Sequence, residues 1–319
     1  MIAVEGKKDM NRQIGAYQPL TPMQTAGSGS ARWCIARRGG ERYFLKEFLN
    51  PVYPAEGGNP ALREKQLLRC RRFAEKKQRL YTAMSCVIGD TLVPVLDFFL
   101  FEGRYYAVSE EVPAPRLTGE SDLRASQREK REILLGVALC LQRLHMQGVV
   151  HADLKPEHVL LRKGPLGYET RLIDLDSGFL LEAPPDDEEE MQGDPVYLAP
   201  EAFLRMAGQK TSVGAEIDAF AFGVMIHRIW TGRLPAMDER YTYLYEAALD
   251  GGTIRLSREL PLPYRQAVRR LLDPDPASRP GDGEMVKLLT ASQNFEKEEK
   301  PMESGEPLNG LSRFMKKGL

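Results

Sequence analysis

The chain has 319 residues, more than twice the roughly 150 of a typical domain, so one large two-layer domain or two packed units are open and a mini-scaffold is excluded. Hydrophobic residues make up 42%, enough for a sizeable core, and wholesale disorder is excluded. With 44 Lys and Arg against 45 Asp and Glu the formal charge is -1, so no global positive field holds nucleic acid or an anionic membrane, and neither is an expected partner.

Residues 1–14 read as an N-terminal tail, whose start MIAVEGKKDMNRQ has no apolar core for a secretory signal. Cys34, Cys70, Cys86 and Cys140 are scattered without a C-x-x-C pair, which fits a reducing, cytoplasmic setting. YQPLTPMQ, RWCIARR and RYFLKEF, separated by GSGSA and by Gly39-Gly40, predict three antiparallel strands. Leu67, Cys70, Ala74, Tyr81 and Met84 recur at helical spacing and predict a helix over 61–84. Between 62 and 80 that helix carries eight Lys/Arg and two Glu, a solvated face or a docking surface for a partner. VPVLDFFLF and RYYAVSE predict two further strands. From about 125 the period becomes 3.6, with Ile133, Leu134, Val137, Ala138, Leu141 and Leu144 on one stripe. EIDAFAFGVMIHRIWTG is apolar nearly all round, so it belongs in the middle of a helical unit, and it is too short to span a membrane. The charged tail 293–319 (EKEEKPMESGEP, then LSRFMKKGL) leaves disorder and docking onto a partner both open.

VVHADLKPEHVLL places Asp153, Lys155 and His158 in one short loop between apolar residues. RLIDLDSGF puts Asp174 at a strand end with Asp176 two residues on, where carboxylates can hold a divalent cation against phosphates. Together these resemble the catalytic and metal-binding loops of the protein kinase family, usually His-Arg-Asp-Leu-Lys-Pro-x-Asn and Asp-Phe-Gly. GDPVYLAPE, EIDAFAFGV and LLDPDPASRP follow in the family's order. The resemblance implies an α+β, bilobal protein-kinase-like fold over 15–292. It has a small antiparallel-sheet N-lobe with one long helix (about 15–112) and a larger, mainly helical C-lobe (about 113–292).

The resemblance also implies ATP and Mg2+ as cofactors, a protein substrate and Ser/Thr specificity. Asp153 stands for the catalytic carboxylate and Lys155 for the lysine on the γ-phosphate. Lys46 stands for the strand lysine that contacts the α- and β-phosphates, and Glu75, rather than Glu64, for its partner on the helix. Gly27 and Gly29 belong to the phosphate-covering loop, in which Arg32 replaces a glycine and Cys34 a valine. Backbone groups of Glu110 and Val112 face adenine, Leu160 completes the nucleotide set and Ser109 is the gatekeeper. Phe44 replaces the alanine above the base, where it obstructs the purine or stacks on it.

Asp174 stands for the metal-binding aspartate. Asp176 replaces a glycine, which restricts an in/out flip, and His158 replaces an asparagine, which predicts weaker use of a second metal or a preference for Mn2+. Ala152 replaces the arginine that grips a phosphorylated activation loop, and DDEEE at 186–190 is a solvated run or a basic partner's contact. Asp194 is placed to pair with Lys155, Glu201 with Arg279, and Asp218 with catalytic-loop N–H groups. Phe44, Arg32, His158 and Asp194 motivate a second reading, a pseudokinase scaffold. A third is a small-molecule kinase of the aminoglycoside type, which PVYLAPE and the Asp218 helix oppose.

Overall fold

A computed structural model describes residues 12–25, 29–87, 89–117, 125–165, 167–185 and 191–291. Gly27, the acidic run 186–190 and the tail 293–319 lie outside them.

The first half builds a six-stranded antiparallel sheet from β1 (Gln18–Pro19), β2 (Gln24–Thr25), β3 (Ala31–Arg38), β4 (Glu41–Phe48), β5 (Val95–Phe101) and β6 (Arg104–Glu110). The strand order is β1-β3-β4-β6-β5, with β2 also paired to β3. The single strand expected over 17–24 is two short pieces. Pro19 and Pro22 lack the N–H that a continuous ladder requires, and the Thr21 hydroxyl accepts the Ile35 N–H at 3.0 Å in place of a main-chain carbonyl.

Between β4 and β5 runs α1 (Pro60–Ser85). Asn59 caps it, accepting the Ala61 N–H at 3.0 Å, and Pro60 in the first turn has no N–H to leave unpaired. Its inner stripe is Cys70, Lys77, Leu80, Tyr81 and Met84. Phe48, Phe73, Phe98 and Tyr105 form an aromatic layer against that stripe, with ring centroids 5.2–6.4 Å apart. The opposite sheet face carries its own cluster, Ile14, Tyr17, Cys34, Ala36, Leu45, Tyr106 and Val108.

The second half is mainly helical. In order come α2 (Gln127–Met146), β7 (Val149–Val150), the hairpin β8 (Val159–Gly164) and β9 (Gly167–Leu172), and β10 (Phe179–Leu180), which pairs with β7. Then follow α3 (Pro200–Met206), α4 (Glu216–Thr231), α5 (Leu244–Leu249), α6 (Leu262–Leu271) and α7 (Asp282–Ala291). A reciprocal capping box of Ser126 and Glu129 starts α2. As its composition predicts, α4 is buried almost all round, and it stops at Gly232, whose φ of 72° suits a left-handed cap. Gly223 lets α6 approach α4 closely, since a Cβ there would stand 2.8 Å from the Leu271 Cβ. No helix among the described residues is long and apolar enough to cross a membrane.

Candidate active site

A cleft of about 280 Å³ opens between the sheet and the β8–β9 hairpin. Alternation in β3 and β4 sends Trp33, Ile35, Phe44 and Lys46 into it. Cys34, which replaces the usual valine, is turned to the opposite sheet face and fully buried there, and its neighbours Trp33 and Ile35 line the cleft instead. Phe44 stacks on Trp33, with centroids 5.2 Å apart and planes at 24°, and the pair roofs the cleft. Leu160 and Ile173 line the cleft from the other half, and Ser109, Glu110 and Val112 line its edge. Ser109 lies directly across from Phe44 in the β4–β6 register. Gly29 is exposed just before β3 with a φ of 70°.

At the inner end, Lys46 Nζ donates to Asp174 Oδ1 at 2.6 Å and also pairs with the Asp176 carboxylate. Burial opposes the charge on Lys46, but Asp176 and Asp174 outweigh it and hold its pKa above the usual lysine value. Burial would likewise raise Asp174, yet the charge and hydrogen bond of Lys46 pull it well below the usual carboxylate range. Asp174 adopts left-handed backbone angles, φ 63° and ψ 55°, and Ala152 in the 151–158 loop has a φ of 65°. Such strain in non-glycine residues persists only where surrounding contacts enforce it, and active sites are where it collects.

The 151–158 loop is held from below. Asp218 accepts the N–H groups of His151 at 2.7 Å and Ala152 at 2.9 Å, as its sequence position predicts. Asp153 Oδ1 accepts the Asp194 N–H at 2.9 Å and Oδ2 accepts Lys155 Nζ at 3.0 Å. Lys155 also reaches Asp194 Oδ2 at 3.4 Å, the pairing anticipated for Asp194. Burial works against its charge, and Asp153 and Asp194 together raise its pKa. His151 Nε2 lies 3.1 Å from the Ile173 carbonyl, which ties the 151–158 loop to the Asp174 loop.

His158 is buried, with Nδ1 2.8 Å from the Asp153 carbonyl oxygen and Nε2 3.4 Å from Asp174 Oδ2. A carbonyl only accepts, so Nδ1 carries the proton. Burial lowers the ring's pKa despite Asp174 alongside. The neutral ring therefore turns its Nε2 lone pair toward a carboxylate, which sets a nitrogen and an oxygen donor side by side.

Glu75 is not in this site. It lies on the exposed face of α1, and Lys46 meets Asp174 and Asp176 instead. Two residues further on, about 200° around the helix, Lys77 points inward. Its Nζ donates to the Asp176 carbonyl at 2.6 Å and stands over the rings of Phe48, Phe73 and Tyr81 at 5.4, 5.8 and 6.0 Å. Burial lowers its pKa. A signal for Lys77 exists in the sequence, because it falls at the helical repeat of the apolar stripe, between Ala74 and Tyr81.

Glu201 and Arg279 form the expected buried pair, bidentate at 2.6 and 2.9 Å, with Arg279 also bonded to the Asp273 and Glu216 carbonyls.

The protein kinase domain model matches residues 60–291. Hormonally up-regulated neu tumor-associated kinase homolog A of Xenopus laevis is 28% identical over 78% of this chain and 36% of its own length. CBL-interacting protein kinase 21 of Oryza sativa subsp. japonica is 25% identical over 82% of this chain and 49% of its own length. Serine/threonine-protein kinase pkn2 of Myxococcus xanthus is 31% identical over 65% of this chain and 24% of its own length. The chain thus spans less than half of the length of each of these relatives. With a match over well more than half of the chain, the chain belongs to the protein kinase family.

Proposed function

We propose that this chain is an ATP-dependent protein serine/threonine kinase that moves the γ-phosphoryl group of ATP to a protein hydroxyl. The observation that carries this reading is that Lys46 and Asp174, 128 positions apart, meet in one apolar-walled cleft, and that His158 bridges them to the Asp153–Lys155 pair, lying 3.4 Å from the Asp174 carboxylate and 3.6 Å from that of Asp153. Phosphoryl transfer asks a protein chiefly to position the nucleotide and to offset charge on the transferring group. Lys46 is the cation for the α- and β-phosphates and Lys155 the cation for the γ-phosphate. Asp153 orients the attacking hydroxyl and takes its proton, and its oxygens keep lone pairs for this beyond the bonds to Asp194 and Lys155. Glu110 and Val112 offer main-chain groups to the adenine edge, Leu160 packs beneath the ring, and Gly27 and Gly29 supply N–H groups over the phosphates.

A divalent cation, Mg2+ or Mn2+, would be held by Asp174 with His158 as second donor, and when bound it offsets phosphate charge. The donors fit unequally. A carboxylate oxygen suits a hard cation, whereas imidazole nitrogen suits Mn2+ better than Mg2+. We adopt 15–292 as the kinase domain. The four free thiols accord with a cytoplasmic location. The test is transfer of radiolabelled phosphate from ATP to the chain itself or to a generic protein. Asp153→Asn should lower it by about 100-fold or more, and equal incorporation by both proteins contradicts the assignment.

A pseudokinase scaffold is favoured by one observation, the Trp33–Phe44 pair over the purine position. Nucleotide binding without transfer by the wild type would select it.

A further inference from the structure

We infer that Asp176, not an acid on α1, is the positioning residue for Lys46, and that Lys77 has replaced the helix acid and holds the Asp176 loop in place. The inference rests on the nucleotide-binding reading of the cleft.

Three observations carry it. First, the Asp176 carboxylate pairs with Lys46, whose side chain is only 12% exposed while that of Asp176 is 30% exposed, so screening is reduced on the lysine side of the pair. Second, the inward position on α1 is a cation. Lys77 is 8% exposed, and its Nζ bonds to the Asp176 main-chain carbonyl and sits within 6.0 Å of three aromatic rings. Third, the nearest helix acid by sequence, Glu75, is exposed.

Charge accounting gives the arrangement its logic. An acid facing Lys46 from α1 would balance one lysine. Here α1 presents a second lysine, and the loop answers with a second aspartate, so Lys46 and Lys77 face Asp174 and Asp176. A buried cation without compensation is costly, so neither departure is tolerable alone. The two carboxylates then divide their work. When Asp174 turns to a metal ion, Asp176 keeps Lys46 in position for phosphate. Both ends of the latch sit on residue 176, the carboxylate on Lys46 and the carbonyl on Lys77. Displacing the 174–176 loop therefore releases β4 and α1 together, whereas an acid on the helix would let α1 swing while the loop stayed.

The experiment measures ATP affinity by calorimetry, with and without Mn2+, for wild type, Asp174→Asn and Asp176→Asn. Melting temperatures are recorded alongside. Wild type binds ATP in both conditions. Asp176→Asn weakens binding by about tenfold or more in both, the worth of one charge-assisted contact, while Asp174→Asn loses mainly the Mn2+-dependent part. If Asp176→Asn melts more than a few degrees early, the double variant Lys77→Glu/Asp176→Gly carries the test. It returns the acid to the helix, and ATP affinity should recover above that of either single substitution. Wild-type affinity in a stably folded Asp176→Asn, or a double variant no better than its singles, overturns the inference while leaving the nucleotide site standing. Failure of wild type to bind ATP overturns the nucleotide reading itself.

Discussion

The Nδ1–H of His158 is committed to the Asp153 carbonyl, and this fixes what the other ring nitrogen can do. Its lone pair faces Asp174 at 3.4 Å, a contact that a cation of intermediate softness relieves better than a hard one. The ratio of activity in Mn2+ to that in Mg2+ should therefore fall several-fold in His158→Asn, and identical metal profiles in the two proteins would refute the assignment. His158 was legible because it sits inside a motif of fixed spacing. Lys77 had only its place on the apolar repeat, and among eight basic residues on one helix that signal is outweighed by the appearance of a solvated face until burial shows the side chain turned inward. Glu75 failed for the complementary reason: distance along the chain says nothing about which side of a helix a residue occupies. At the cleft edge, small Ser109 lies across from Phe44, and on the proposed reading it faces the purine. ATP analogues enlarged at N6 should thus be accepted as phosphate donors, and their rejection by active enzyme would count against Ser109 as gatekeeper.

Among elements, the long helices and the strands β3, β4 and β6 were equally legible in their bounds, and the helix ends explain their share of this. Asn59-Pro60, the Ser126–Glu129 box and Gly232 are local signals that act over one turn, so α1, α2 and α4 begin and end close to the expected positions. Strand faces depend on register, which is a long-range property. Shifting by one residue exchanges the two faces, and Cys34 went to the outer cluster while Trp33 and Ile35 took the cleft. Two elements give stability predictions. Gly223→Ala would push a methyl group to within 2.8 Å of the Leu271 Cβ, and the overpacking should cost about 1–3 kcal/mol in denaturant unfolding. Arg279→Ala strands the Glu201 carboxylate in a buried setting and should cost about 3–5 kcal/mol by the same measurement. A change below about 1 kcal/mol in either would show that the contact relaxes.

Across the whole molecule, one buried histidine joins three helices to the 151–158 loop. His145, in the last turn of α2, sets Nε2 2.9 Å from Asp218 of α4 and Nδ1 2.9 Å from Asp282 of α7. Burial opposes its charge, but the bonds to Asp218 and Asp282 prevail and hold its pKa up at about 9, against an ordinary 6.5. Protonation is therefore favoured in the folded state. That stabilisation is complete below about pH 6.5 and is lost as pH rises through about 9, and its size is about 3 kcal/mol. Unfolding free energy of wild type should fall over this interval relative to His145→Gln, and parallel pH profiles would refute a charged His145. No spacing in the sequence signals this hub, because its three members come from residues 145, 218 and 282. The motifs themselves announced the bilobal architecture, since their order along the chain is what the family preserves.

A crystal structure with Mn2+ and a non-hydrolysable ATP analogue would show whether Lys46, Asp153, Lys155 and Asp174 surround the terminal phosphates of a nucleotide. The purine should lie beneath the Trp33–Phe44 pair, with Lys46 on the α- and β-phosphates and the metal on Asp174. Under saturating ligand, an empty cleft with Phe44 filling the purine position would contradict that arrangement.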